Sequence, residues 1–168
     1  ERRSCVVTTP ITGDGTEGNP YLIENSAMWE CFATNLNEGM TDYTGKYVKL
    51  SDQFDCSASP VTISAGNSQH PFKGVFLGNT RTLTVNISGS DKYQAPFGYI
   101  ENATIRDLTV AGTISCSLEG DGTNGGFAGV NNGNSPFSNC AFTGSLLVEL
   151  ATSNGGFVGW TNGNLTYT

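Results

Sequence analysis

The sequence predicts an all-β protein, a right-handed parallel β-helix (β-solenoid) with an N-terminal capping helix, and three observations carry that prediction. The first is a repeat: Gly125-Gly126-Phe127-Ala128-Gly129, Asn132-Gly133-Asn134 and Phe137-Ser138 return 30 residues later as Gly155-Gly156-Phe157-Val158-Gly159, Asn162-Gly163-Asn164 and Tyr167-Thr168. A weaker copy, Ala95-Pro96-Phe97-Gly98-Tyr99-Ile100-Glu101-Asn102, stands upstream and puts Gly98, Gly129 and Gly159 in register with steps of 31 and 30. A period between roughly 20 and 50 residues with no helical pattern inside it marks a stacked array, whose units bury their apolar faces only against their neighbours. The second observation is the short apolar/polar alternation between Gly and Asn, which reads as strands punctuated by turns. The third is that Leu83-Thr84-Val85 recurs as Leu108-Thr109-Val110 after 25 residues, and both match Cys140-Ala141-Phe142. Stacking these runs would put Leu83, Leu108 and Cys140 in one column and Val85, Val110 and Phe142 in another. Two apolar columns spaced by two residues define an inward face, with coils of 25 to 32 residues.

Composition agrees. A chain of 168 residues suits one structural domain with one core. Its 22 glycines and 14% charged residues, with abundant Ser, Thr and Asn, suit a turn-rich extracellular protein. A net charge of −7 without any run of Lys or Arg opposes phosphate backbones, so no nucleic-acid partner is expected. No apolar run approaches the roughly 18 residues of a membrane span, and Glu1-Arg2-Arg3-Ser4-Cys5 lacks the apolar core of a signal peptide. Cys5, Cys31, Cys56, Cys116 and Cys140 form an odd set without CxxC spacing, so no zinc ribbon is indicated. Cys56 and Cys140 read as small inward-facing hydrophobes, and a Cys5–Cys31 pair would tie the N-terminal arm down.

Residues 1–44 read as an N-terminal arm, a short leading strand at Tyr21-Leu22-Ile23 and a capping helix. Ser26 is the expected N-cap, Trp29, Phe32, Ala33 and Leu36 form the apolar stripe, and Gly39 is the stop. An open first coil exposes core and strand edge, and the helix is expected to cover both with Trp29 facing inward. Residues 45–168 hold the coils: Tyr47-Val48-Lys49-Leu50, Phe54-Asp55-Cys56, Val61-Thr62-Ile63 and the run from His70 to Asn79 lead into the Leu83 strand.

These segments also carry a family resemblance. GDGTEGNPYLI with the helix, GKYVKLSDQFDCS, PFKGVFLGN with its LTV strand, APFGYI, and GGFAGVNNGN with the Cys140–Phe142 strand together resemble GLUG-motif repeat proteins. The resemblance spans nearly everything from Thr12 onward. It implies a parallel β-helix module of the kind found in large bacterial surface and adhesin-like proteins and in non-catalytic regions of some immunoglobulin A peptidases. Pro96 and Ala128 depart from the usual pattern in packing detail. The last repeat stops at Thr168, where the preceding one continues into Asn139-Cys140, so the final coil is expected to be unfinished. Its unpaired strand edge would invite further coils or self-association through the C-terminal coil.

No catalytic residue, metal ligand set or cofactor is expected. His70 is the single histidine, which leaves no zinc-protease motif. β-Helix lyases and hydrolases need carboxylates stacked on adjacent coils. The repeat instead aligns Asp107 with Thr82 and Asn139, and Glu101 with Asn132 and Asn162. Arg106 with Asp107, and Asp91 with Lys92, read as solvated surface pairs. The columns Glu101, Asn132, Asn162 and Asn102, Gly133, Gly163 read as a turn ladder, since Asn and Gly accept left-handed backbone. Glu119, Asp121 and Asn124 lie in a Gly-rich loop without EF-hand spacing.

One candidate site remains. Tyr99, Val130 and Trp160 follow the repeat glycine at the same place. If that place faces outward, Tyr99 and Trp160 offer flat amphipathic surfaces for a glycan or an extracellular or host protein ligand. If it faces inward, they belong to the core. The resulting expectation is a non-catalytic module of a secreted or cell-surface adhesin-like protein. A carbohydrate-active β-helix enzyme fragment and a self-assembling structural unit are the alternatives.

Overall fold

The structure, a computed structural model, describes residues 11–168 and is a parallel β-solenoid. Strand β1 (Tyr21–Ile23) leads into helix α1 (Ser26–Asn37) and β2 (Tyr47–Leu50). The long β3 (Val75–Gly89) is followed by β4 (Tyr93–Gln94), β5 (Phe97–Glu101) and the long β6 (Thr104–Cys116). Next come β7 (Gly120–Gly125), β8 (Ala128–Asn132), β9 (Ser135–Ser138), β10 (Ala141–Phe142) and β11 (Ser145–Val148). The last coil holds β12 (Ala151–Gly155), β13 (Val158–Asn162) and β14 (Leu165–Tyr167). Three parallel sheets result. One runs β1-β2-β3-β6-β9-β14, with β10 and β11 also on β6, and the others run β4-β7-β12 and β5-β8-β13.

One column follows the core from end to end: Tyr21, Val48, Phe76, Ile105, Phe137 and Tyr167 are successive register partners. Phe127 and Phe157 stack 4.8 Å apart with planes 5° from parallel, the spacing of adjacent strands made visible in side chains. The repeat's second glycine is required there, because a β-carbon on Gly126 would collide with the Gly156 carbonyl oxygen one coil away. Phe97 lies opposite Ala128, so the coil bearing Pro96 in place of the repeat phenylalanine carries its core aromatic one position later.

Register departs from the sequence expectation in one stretch. Leu83 pairs with Val110 and Val85 with Gly112, not with Leu108 and Val110. The ladder slips by two between Leu77 and Arg81, where Asn79 and Thr80 take φ of 54° and 57°. A slip of two conserves facing, since side chains alternate with period two, so Leu83, Val85, Leu108 and Val110 are all buried as expected. Leu108 instead sits over Gly78, where an added β-carbon would be 2.6 Å from its own. The slip also moves Asp107 away from Thr82, whose partner is Thr109. The step to the next coil is as the sequence implied: Phe142 pairs with Val110, and Asn139 Nδ2 donates to Asp107 Oδ1 at 2.8 Å.

Helix α1 is capped by Asn25 rather than Ser26. Asn25 is extended, at φ −157°, and its Oδ1 accepts from the Met28 N–H at 2.9 Å, while Ser26 is already helical. At the other end Gly39 has φ 73°, its N–H reaches Leu36 O, and Met40 N–H reaches Asn35 O, the paired bonds of a Schellman ending. Trp29 is fully buried, packs edge-on against Phe32, Phe76 and Phe97, and donates from Nε1 to Ile63 O at 2.9 Å. Asn37 latches the helix end, donating to Ser64 O and accepting from Gly66 N–H. The helix and the coils therefore share one core.

Cys56 is buried, with Sγ against the Thr84 N–H and O, and burial raises its thiol pKa. Cys140 packs against the core as expected but is only half-buried, since it lines the depression beside Phe137, Phe157 and Tyr167. Cys31 is disulfide-bonded; Cys5, the partner expected for it, lies outside the described residues.

Candidate functional site

The β5-β8-β13 sheet settles the facing of the aromatic column. Tyr99 pairs with Val130, and Val130 with Trp160. Their neighbours Ile100, Asn131 and Thr161 form the next column, and it is that column which enters the core: Ile100 bridges to Phe72, and Asn131 is fully buried. The interior amide is fully engaged. Asn131 Nδ2 donates to Gly133 O at 3.0 Å and to Thr161 Oγ1 at 2.9 Å, and Oδ1 accepts from Ser135 Oγ at 2.6 Å. Alternation then turns Tyr99, Val130 and Trp160 outward. Trp160 is 48% exposed, Tyr99 is half-buried, and Val130 between them is recessed at 4%.

Glu101, Asn132 and Asn162 lie two residues further along the same strands, hence on the same face. They are strand residues and not turn residues. Left-handed backbone is confined to the next column, where Asn102, Gly133 and Gly163 have φ of 50°, 88° and 144°. Both columns carry Asn, a residue that favours turns, so the letters alone do not separate strand from turn there. Asn162 Nδ2 donates to Asn132 Oδ1 at 3.2 Å, Asn132 Nδ2 to Glu101 Oε1 at 3.5 Å, and Lys73 Nζ lies 3.2 Å from Glu101 Oε2. A polar rail thus runs beside the aromatic one.

Tyr93, which the sequence reading passed over, completes the aromatic surface. Its ring meets Tyr99 edge-on at 5.6 Å, and its Cβ lies against the bare backbone of Gly98 and Gly129. Burial, then the neighbouring Tyr93 and Glu101, raise the pKa of Tyr99. Lys92 Nζ sits 5.8 Å above the Tyr93 ring and 2.6 Å from Asp121 Oδ2, which raises the lysine pKa. Beyond Tyr93 the face continues into a cleft of about 450 Å³ lined by Ser64, Asn67, Ser88, Asp91 and Lys92.

The two salt bridges among the described residues, Lys73–Glu101 and Lys92–Asp121, join neighbouring coils. The adjacent pairs read from the sequence, Asp91 with Lys92 and Arg106 with Asp107, do not form among them. Each lysine instead reaches a carboxylate about one coil away, which stacking brings to the same side of the solenoid. Asp121 is thus committed to Lys92, and Asn124 turns inward and donates to Asn154 Oδ1 at 2.9 Å. His70 packs its ring on Gly39. Among the described residues, no group of three or more His, Cys, Asp or Glu side chains is placed to hold a metal ion, and no helix is long and apolar enough to cross a membrane. No family model, curated protein or solved structure matches the chain.

Proposed function

We propose that this chain is a non-catalytic binding module of a secreted or cell-surface, adhesin-like protein of the GLUG-motif kind, presenting the Tyr93, Tyr99 and Trp160 face to a glycan or protein ligand. The observation that carries this reading is the outward facing of the Tyr99-Val130-Trp160 column beside the Glu101-Asn132-Asn162 rail. An exposed tryptophan on a scaffold of stacked strands is a pre-ordered contact, so little side-chain entropy is lost when a ligand covers it. The carbohydrate-active alternative requires carboxylates free to act as acid and base, and on this face Glu101 and Asp121 are each tied to a lysine. Binding of the chain to immobilised glycans and extracellular-matrix proteins, with Tyr99→Ala and Trp160→Ala in parallel, tests the proposal. Specific binding that either substitution abolishes in a folded protein supports it, and binding indifferent to both removes the face from consideration.

A second reading, self-association, has its own observation. Tyr167 is more than half exposed beside a depression that it lines with Phe137, Cys140 and Phe157, Leu147 and Leu150 are exposed as well, and no Lys or Arg follows Arg106. Strand edges are ordinarily protected by such charges. Because α1 covers the other end, a second copy would meet this end tail to tail. Light scattering over a concentration series tests it: a dimer that Tyr167→Lys dissolves is expected, and a monomer at every concentration refutes it.

A further inference from the structure

We propose that the outward face binds a neutral, extended β-linked oligosaccharide lying along the solenoid axis, an inference that rests on the binding reading above and names its ligand. Strands of the sheet repeat every ~4.8 Å, so Tyr99, Val130 and Trp160 form a rail along the axis with the two aromatics about 10 Å apart. The Glu101-Asn132-Asn162 rail runs parallel to it at about 7 Å, two strand residues away. A pyranose ring has the matching anatomy: an apolar C–H face that stacks on an aromatic ring, and a rim of hydroxyls that bonds to amides and carboxylates.

The spacing selects the kind of chain. In an extended β-linked glycan each ring advances by about one rung and turns over relative to the last, so like faces recur at every second ring. Two rungs is the separation of Tyr99 from Trp160. The intermediate ring falls on Val130, which is recessed and leaves room for it. A helical α-linked chain curves away from a straight rail and cannot meet both aromatics.

Charge selects neutrality. Glu101 is held by Lys73 and Asp121 by Lys92, and no Lys or Arg follows Arg106 to attract a uronate or sulfate on the Trp160 side. Past Tyr99, the Tyr93 ring and the cleft with Ser64 and Asn67 extend the track for longer chains.

The protein carries its own probe. Of its two tryptophans Trp29 is fully buried, so a ligand-induced change in indole emission reports Trp160. The chain is titrated with di-, tri- and hexasaccharides of the cellulose and chitin types and with maltohexaose, and calorimetry follows the Tyr99→Ala, Trp160→Ala and Asn132→Ala variants. Expected are saturable binding of the β-linked series, an increase of about tenfold or more in affinity from di- to trisaccharide, and a loss of about tenfold in either aromatic variant. Asn132→Ala is expected to lose several-fold, and maltohexaose to bind at least about tenfold more weakly. Aromatic-dependent binding without the length step, or equal affinity for maltohexaose, overturns the axial alignment while the face survives. Aromatic-dependent binding of matrix proteins alone overturns the glycan and keeps the face. Failure of every ligand removes both.

Discussion

Replacing Asn131 by alanine tests what turns the aromatic face outward. The side chain is fully buried and serves three partners: Gly133 O, Thr161 Oγ1 and Ser135 Oγ. Thr161 is exposed and regains water, so its bond contributes little to the loss. Ser135 is 1% exposed and loses the acceptor for its hydroxyl, a cost of about 1 to 3 kcal/mol. Gly133 is half-buried, and its carbonyl adds about 1 kcal/mol for the lost bond. The sum is about 3 kcal/mol, which for a chain of this length lowers the thermal midpoint by about 6 to 12 °C. The assay is thermal and urea unfolding followed by far-UV circular dichroism, on Asn131→Ala, Ser135→Ala and the double variant. Because Ser135 Oγ also accepts from the Ala103 N–H at 3.2 Å, its removal orphans a second buried group. The cycle is expected to be non-additive by about 1 kcal/mol. A loss below about 1 kcal/mol for Asn131→Ala, or strict additivity in the cycle, refutes the claim that this network holds the column inward.

Two further outcomes follow from the N-terminal cap. Trp29→Ala removes a fully buried indole from among Phe32, Phe76 and Phe97 and leaves Ile63 O without its donor; a loss of about 3 to 5 kcal/mol is expected by urea unfolding, with Trp29→Phe retaining most of the packing. Tyr43 is buried, and burial pushes its phenol well above the usual tyrosine range of about 10. The folded phenol keeps its proton where the unfolded one loses it, so stability is complete below pH ~10 and declines as pH rises beyond it. Tyr43→Phe is expected to flatten that alkaline decline in midpoint-against-pH curves, and an unchanged slope counts against the assignment.

Much of the solenoid was legible because stacking makes near neighbours in space out of residues one repeat apart. The offsets that aligned Gly98, Gly129 and Gly159 are those that align Tyr99, Val130 and Trp160 in the sheet. The helix was legible from its stripe and Gly39, and only its cap moved by one residue, since Asn25 and Ser26 cap about equally well. The Leu83 strand was misaligned because matching apolar letters cannot reveal a two-residue slip that leaves every side chain on its original face.

The sequence by itself determined the 30-residue repeat, the inward facing of its apolar strand residues and the capping helix, because these arise from local periodicity and from like units stacking on like. Only the tertiary structure decided which side of the β5-β8-β13 sheet meets solvent. Strand alternation fixes relative facing but not its absolute sense, and a glycine offers no side chain to set it. The core set it, by burying Ile100 completely and giving Asn131 a full complement of partners. The lysine partners were decided in the same way, because Lys73 and Lys92 reach carboxylates on the next coil, 28 and 29 residues away in sequence and one rung away in space.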